Sequence, residues 1–264
     1  MQTPVDDQIQ YLYKYRSLSD TSSSFAERIF THNELYFPKP SEFNDPFDCS
    51  PVATLDATEN QFATYLDGLY KRRMPHLSRA DRRASVKSVL KDRTRNNNSI
   101  LAYQTLKESM AKVVELAGVL SLSARCNHIL MWSHYADSHR GICLRFKASS
   151  TTPFFGRAQR VVYQAERPKL NLILDNHETQ STKALLAKAD FWGYEEEWRI
   201  VEHELGPGVH QFPPELLDGV ILGARISDEN KQNVMSWVAT RKNNLEILQA
   251  RFNDKSFRLD IVPV

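Results

Sequence analysis

Apolar and polar residues alternate with a period of two in several short stretches of this chain, and recur at helical spacing between them. Tyr11-Leu12-Tyr13-Lys14-Tyr15-Arg16 is the first alternating stretch and predicts a strand; Glu34 to Phe37 predicts a second, which Pro38-Lys39-Pro40 stops. Between them Ser19-Asp20-Thr21 predicts the cap of a helix running to Ile29 or Phe30. Glu42 to Cys49 predicts a polar loop, because Asn44, Asp45 and Asp48 favour turns and Pro46 holds Asp45 extended. Its aromatics Phe43 and Phe47 are expected to be buried, turning Asn44 or Asp45 inward. Thr54 to Leu116 has a helical pattern, broken at Arg95 to Ser99. Gly118 to Ser123 predicts a strand with Ser121 and Ser123 on one face. Asn127 then caps an expected helix from His128 to Ser138, ended by Gly141. Strands are predicted at Ile142 to Phe146, Gln159 to Tyr163, Trp198 to Glu202, Leu217 to Gly223, Glu246 to Ala250 and Phe257 to Val262. Helices are predicted at Ser181 to Ala189 and Asp228 to Lys242.

Strands and helices alternate too irregularly for a doubly wound sheet. The pattern implies an α+β fold with a mixed, mostly antiparallel sheet core. With 264 residues the chain can bury one large core or two modest domains. We expect a single domain, 1–264, whose core comprises 8–51 and 117–264 and whose segment 54–116 is a helical insertion. No apolar run approaches the roughly 20 residues that span a bilayer, so no membrane partner is expected. The start, Met1 to Asp7, is polar and acidic, unlike a signal peptide. Three cysteines, Cys49, Cys126 and Cys143, suit reduced thiols better than a disulfide framework, and the expected location is cytoplasmic.

The net charge of +2 hides an asymmetry. Between Lys71 and Arg95 stand ten Lys or Arg against two acids, so this window carries +8 and the remainder −6. Such a block is an electrostatic footprint for nucleic acid, with Arg72, Arg73, Arg82 and Arg83 as candidate contacts, or else the solvated face of a helix.

The chemistry concentrates at Trp192-Gly193-Tyr194-Glu195-Glu196-Glu197-Trp198-Arg199. Read as the start of a strand, this stretch places Glu195 and Glu197 on one face about 7 Å apart, an arrangement that calls for a cation or a ligand, or else it is an exposed acidic strand start. Cys126, His128, His134, His139 and Cys143 lie close in sequence but lack paired zinc-knuckle spacing, and no metal is expected. Neither a Gly-x-Ser-x-Gly elbow nor a phosphate-cradling glycine loop occurs. Trp132 and Tyr135, one helical turn apart, form either a core stripe or one wall of a pocket.

Taken in order, several of these motifs form a pattern: Tyr13-Lys14-Tyr15-Arg16, Phe43-Asn44-Asp45-Pro46-Phe47-Asp48, Leu120-Ser121-Leu122-Ser123, Met131-Trp132-Ser133-His134-Tyr135-Ala136 and Tyr194-Glu195-Glu196-Glu197-Trp198-Arg199. The chain resembles, over about residues 11 to 223, the bacterial family of domains of unknown function numbered 2971. More distantly it is similar to ADP-ribosyltransferases of the arginine–serine–glutamate class. That resemblance implies NAD as co-substrate, with Arg16 on the nicotinamide-side phosphate, Ser121 positioning the catalytic glutamate, Glu197 stabilising the oxocarbenium-like transition state and Glu195 helping to deprotonate the acceptor. Ser123, Asn44, Asp45, Trp132 and Tyr135 would complete the cofactor site. Leu122 departs from the class, which has threonine between the two serines. The implied role is that of a toxin or phage-defence effector acting on a macromolecular acceptor, RNA or DNA among them, with an antitoxin or defence partner. Two other readings remain open. One is a metal-dependent nuclease using Asp45, Asp48, Glu195 and Glu197. The other is a non-enzymatic nucleic-acid or protein-binding module whose carboxylates form structural ion pairs with Arg16 and Arg199.

Overall fold

A computed structural model of the protein describes residues 9–19, 22–96 and 99–264. The first strands in chain order are β1 (Tyr11–Arg16), β2 (Glu34–Phe37), β3 (Val52–Thr54), β4 (Gly118–Ser123), β5 (Ile142–Lys147), β6 (Gln159–Arg160) and β7 (Val162–Gln164). They are followed by β8 (Lys169–Asn171), β9 (Ala187–Ala189), β10 (Glu197–Glu202), β11 (Gly208–Gln211), β12 (Leu217–Leu222), β13 (Glu246–Phe252) and β14 (Leu259–Pro263). The helices are α1 (Ser23–Thr31), α2 (Glu59–Arg73), α3 (Arg79–Asn96), α4 (Ser99–Glu115), α5 (Ile129–Tyr135), α6 (His177–Leu185) and α7 (Asp228–Ala239).

The chain forms two compact units: 1–44, 116–165 and 188–264 make the first, and 45–115 with 166–187 the second. The first is built on an eight-stranded sheet in the order β14-β13-β12-β5-β1-β4-β10-β6. Neighbouring strands of that sheet pair antiparallel, except β12 and β13, which are parallel. The fold is α+β with a mostly antiparallel core. Alternation splits its side chains cleanly. Leu12, Leu120, Leu122, Leu144, Trp198, Ile200 and Val220 face α1 and α7, where they meet Ile29, Phe30, Val234 and Trp237. Tyr15, Cys143, Ile221 and Leu248 lie on the other face with Met131 and Trp132 of α5. In the second unit β3 pairs in parallel with β8, and Phe62 and Leu66 of α2 pack on Val86 of α3 and Ile173.

Several expectations need correction. The helix read across Ser181 to Ala189 starts earlier, at His177, because the Asn176 side chain accepts from the Thr179 amide; it stops at Leu185, and Ala187–Ala189 is extended. Asn127 caps nothing. His128 holds the cap position of α5 without a side-chain bond, and the helix closes at Tyr135. There Asp137, Ser138 and His139 all take positive φ, so the chain turns two residues before Gly141. The Gln159 to Tyr163 strand is divided into β6 and β7. Asp20 and Thr21, read as part of the first cap, and Asn97 and Asn98, read as a helix break, lie outside the described residues.

Candidate functional site

Three neighbouring strands of the first unit, β1, β4 and β10, carry the residues singled out from the sequence. In register, Tyr13 and Glu197 both stand opposite Ser123, and Arg199 stands opposite Ser121. Ser121, Ser123, Glu197 and Arg199 therefore leave the sheet on the α5 side. Glu195 is not on the strand. It ends a 3-10 helix, Asp190–Glu195, and Glu196 turns left-handed (φ 41°, ψ 54°) before β10 begins. Strand alternation thus has no part in pairing the two carboxylates; this turn and a cation bring them together.

That cation is Lys188, on β9. Its Nζ lies 2.5 Å from Glu195 Oε2 and 3.2 Å from Glu197 Oε2. Arg199 grips Glu197 with two donors, Nε to Oε1 at 2.8 Å and Nη2 to Oε2 at 3.0 Å. All four groups are buried, and Arg199 is 0% exposed. The Ser121 hydroxyl also bonds the Glu197 carboxylate. The Glu197 amide donates to the Tyr163 hydroxyl at 2.8 Å. Tyr135 donates to Glu195 Oε1 at 2.6 Å and is itself hydrogen-bonded to Asn44.

The two carboxylates respond oppositely to this environment. Burial alone would raise Glu197, but the charges of Arg199 and Lys188 and the bonds from Arg199 and Ser121 outweigh it and hold the group at about 2. Glu195 goes up: burial and the negative charge of Glu197 outweigh Lys188. Lys14, on β1, donates to the Ser121 carbonyl at 2.6 Å. Burial, then the charge of Arg16, brings it down to about 7 against the pull of Glu197 and Glu195. Arg16 is lowered by burial to about 10, and its buried Nε has no hydrogen-bond partner among the described residues.

The structure brings Ser121, Glu197, Glu195 and Tyr135 together. Arg16 makes no hydrogen bond or ion pair with them. Alternation places it, with Leu12 and Lys14, toward the α1 face, and Lys14 is the β1 cation that the carboxylates act on. Ser123 is a structural pin, its hydroxyl donating to the Glu195 carbonyl at 2.6 Å and accepting from the Arg125 amide at 3.0 Å. Trp132 belongs to the core: it is 0% exposed, edge-on to Tyr15, and its indole donates to the Cys126 carbonyl. Within the loop, Asn44 is exposed and Phe43 half-buried under the Arg199 guanidinium. Phe47, expected to be buried, is 60% exposed, with the Arg167 guanidinium of the same unit over its ring face. Asp45 is buried and caps its own turn, accepting from the Phe47 amide. An aromatic group flanks Glu195: Tyr194 stacks on His128, bonds His134 and lies 6.0 Å from Trp192, over whose ring Lys188 sits.

Sequence reasoning missed Lys14, Lys188 and Tyr163. A lysine sharing a strand face with Leu12, and a single cation in the apolar run Ala184-Leu185-Leu186-Ala187-Lys188-Ala189, were the available signals.

Comparison with known families adds one finding at this point. Residues 131–200 match the family described as Protein of unknown function (DUF2971). The match is narrower than the resemblance read from the sequence. The DUF2971 segment contains Tyr135, Tyr163, Lys188, Glu195, Glu197 and Arg199, but neither β1 with its two cations nor Ser121. Comparison with curated proteins and with solved structures gives no match. No helix among the described residues is long and apolar enough to cross a membrane, and no group of His, Cys, Asp and Glu among them is arranged to hold a metal ion.

Proposed function

We propose that the protein cleaves the nicotinamide–ribose bond of NAD and passes the ADP-ribosyl group to a macromolecular acceptor or to water. The observation that carries this reading is two buried carboxylates sharing one ammonium, in surroundings that hold Glu197 well below the usual carboxylate range and push Glu195 above it. A fixed, ionised Glu197 stabilises the cationic sugar left when nicotinamide departs with the bonding electron pair. Glu195, with its raised proton affinity, takes the proton of the acceptor hydroxyl or amine as that group bonds to the anomeric carbon. Ser121 positions Glu197.

A second reading has its own support. Arg199 engages both oxygens of Glu197 and Lys188 takes a further bond, as in a structural ion-pair network. Nicotinamide release from NAD, followed chromatographically in the presence of chelator, separates the two. The wild type should release nicotinamide, and Glu197→Gln should lower the rate on the order of 10²–10³-fold. Absence of release by the wild type, together with no NAD-dependent rise in melting temperature, would overturn the transferase reading and leave the network structural.

A further inference from the structure

The second unit carries its charge in a pattern that the helix pair α2–α3 explains. Val86 of α3 is buried against Phe62 and Leu66 of α2, with Val89 and Leu90 packed beside it. Arg79, Arg83, Lys87 and Lys91 follow one another at four-residue spacing along α3, and all four are exposed. The acids of the same helix, Asp81 and Asp92, fall on the opposite flank, where Asp81 is occupied with the Ser78 hydroxyl at 2.7 Å. Charge is therefore sorted by flank, with one side purely cationic. Among the described residues none of the four cations is in an ion pair. Arg72 and Arg73 extend the basic surface from the last turn of α2, which the 74–78 turn joins to the start of α3; both are exposed. Arg82 does not belong to this surface. It is half-buried, donates to the Leu77 carbonyl at 2.8 Å and reaches Asp67 at 3.4 Å, so its charge fastens α3 to α2. The side chains of Arg93 and Arg95 lie outside those described.

We infer that the Arg79–Arg83–Lys87–Lys91 flank of α3 binds the phosphodiester backbone of a nucleic acid without regard to sequence. Four cations spread over about 18 Å of helix match a regularly charged polyanion better than a point ligand. A membrane surface fits less well. An interfacial helix needs an apolar face to insert, and the apolar residues of α3 are consumed in packing against α2. The inference stands independently of the carboxylate site, and its failure would leave that reading untouched.

Fluorescence anisotropy with labelled single- and double-stranded oligonucleotides of unrelated sequences tests it, with vesicles of anionic phospholipid as the competing surface. Wild-type affinity should fall about 50- to 150-fold between about 50 and 200 mM salt, as expected for roughly four neutralised phosphates. The quadruple variant R79Q/R83Q/K87Q/K91Q should bind at least about tenfold more weakly at the lower salt and with a flatter salt dependence. The control K107Q/K112Q, on α4 of the same unit, should bind as the wild type does. Circular dichroism checks that the quadruple variant remains folded, as its four exposed side chains predict. No binding by the wild type at about 50 mM salt, equal loss in both variants, or preference for the vesicles would overturn the inference.

Discussion

A carboxylate in a dry interior is stable only as far as its partners exceed the cost of removing it from water, and Glu195 and Glu197 fall on opposite sides of that balance. Glu197 has a bidentate guanidinium, an ammonium and a hydroxyl; Glu195 has one ammonium and one phenol. Glu197→Gln leaves Arg199 and Lys188 buried with too little negative charge and should cost about 3 kcal/mol of stability. Glu195→Gln removes a group whose charged form the site already disfavours, and should cost less than about 1 kcal/mol. Urea denaturation of the two variants near neutral pH measures both. Equal losses would show that the opposite shifts of the two groups have been misassigned. Activity comparisons must therefore use folded fractions of Glu197→Gln, whereas Glu195→Gln reports on chemistry almost alone.

At the scale of elements, the turn between the 3-10 helix and β10 sets how the two carboxylates meet. Glu196 occupies the left-handed region there, and its side chain forms an exposed ion pair with Arg125 at 2.7 Å. Exposed pairs contribute about 0–1 kcal/mol, while a side chain in left-handed backbone costs about 1–2 kcal/mol. The backbone term is the larger, so Glu196→Gly should hold or raise the melting temperature and Glu196→Val should lower it by several degrees. A loss with glycine as large as with valine would show that the Arg125 pair matters more than the turn. The same segment shows why only part of the site was legible in the sequence. Two-residue alternation marked β1, β4 and the body of β10 correctly, because each buries one apolar face. It could not reveal that the strand starts at Glu197 instead of Glu195, since a single left-handed residue leaves no periodic trace. Lys188 was hidden for another reason. Ala184 to Ala189 carries helical propensity, and tertiary pairing overrides propensity in so short a stretch. The unpartnered Nε of Arg16 and the burial of Lys14 depend on strands more than 100 residues away, which no local pattern encodes.

For the molecule as a whole, these groups shape how stability depends on pH. The folded value of Glu197, about 2, lies below its ordinary 4.5, so its contribution is complete above about 4.5 and is lost as the pH falls toward 2. Glu195, raised, works the other way: what it contributes is present in acid and lost as the pH rises through its folded value. Lys14 acts in a separate range. Its folded value of about 7 lies below the ordinary 10.5, so the unfolded chain binds the extra proton between those limits. Stability is then penalised in full below about 7 and recovers as the pH rises toward 10.5. Lys14→Met removes that penalty. Allowing for the partial exposure of the side chain, the variant should be more stable than the wild type by roughly 1–2 kcal/mol at about pH 6, with the difference shrinking toward about pH 9. Chemical denaturation of both proteins across that range measures the difference. A variant that is less stable than the wild type at pH 6 would mean that the Ser121 carbonyl bond outweighs the burial of the charge, and Lys14 would then be a structural strut of β1 and β4.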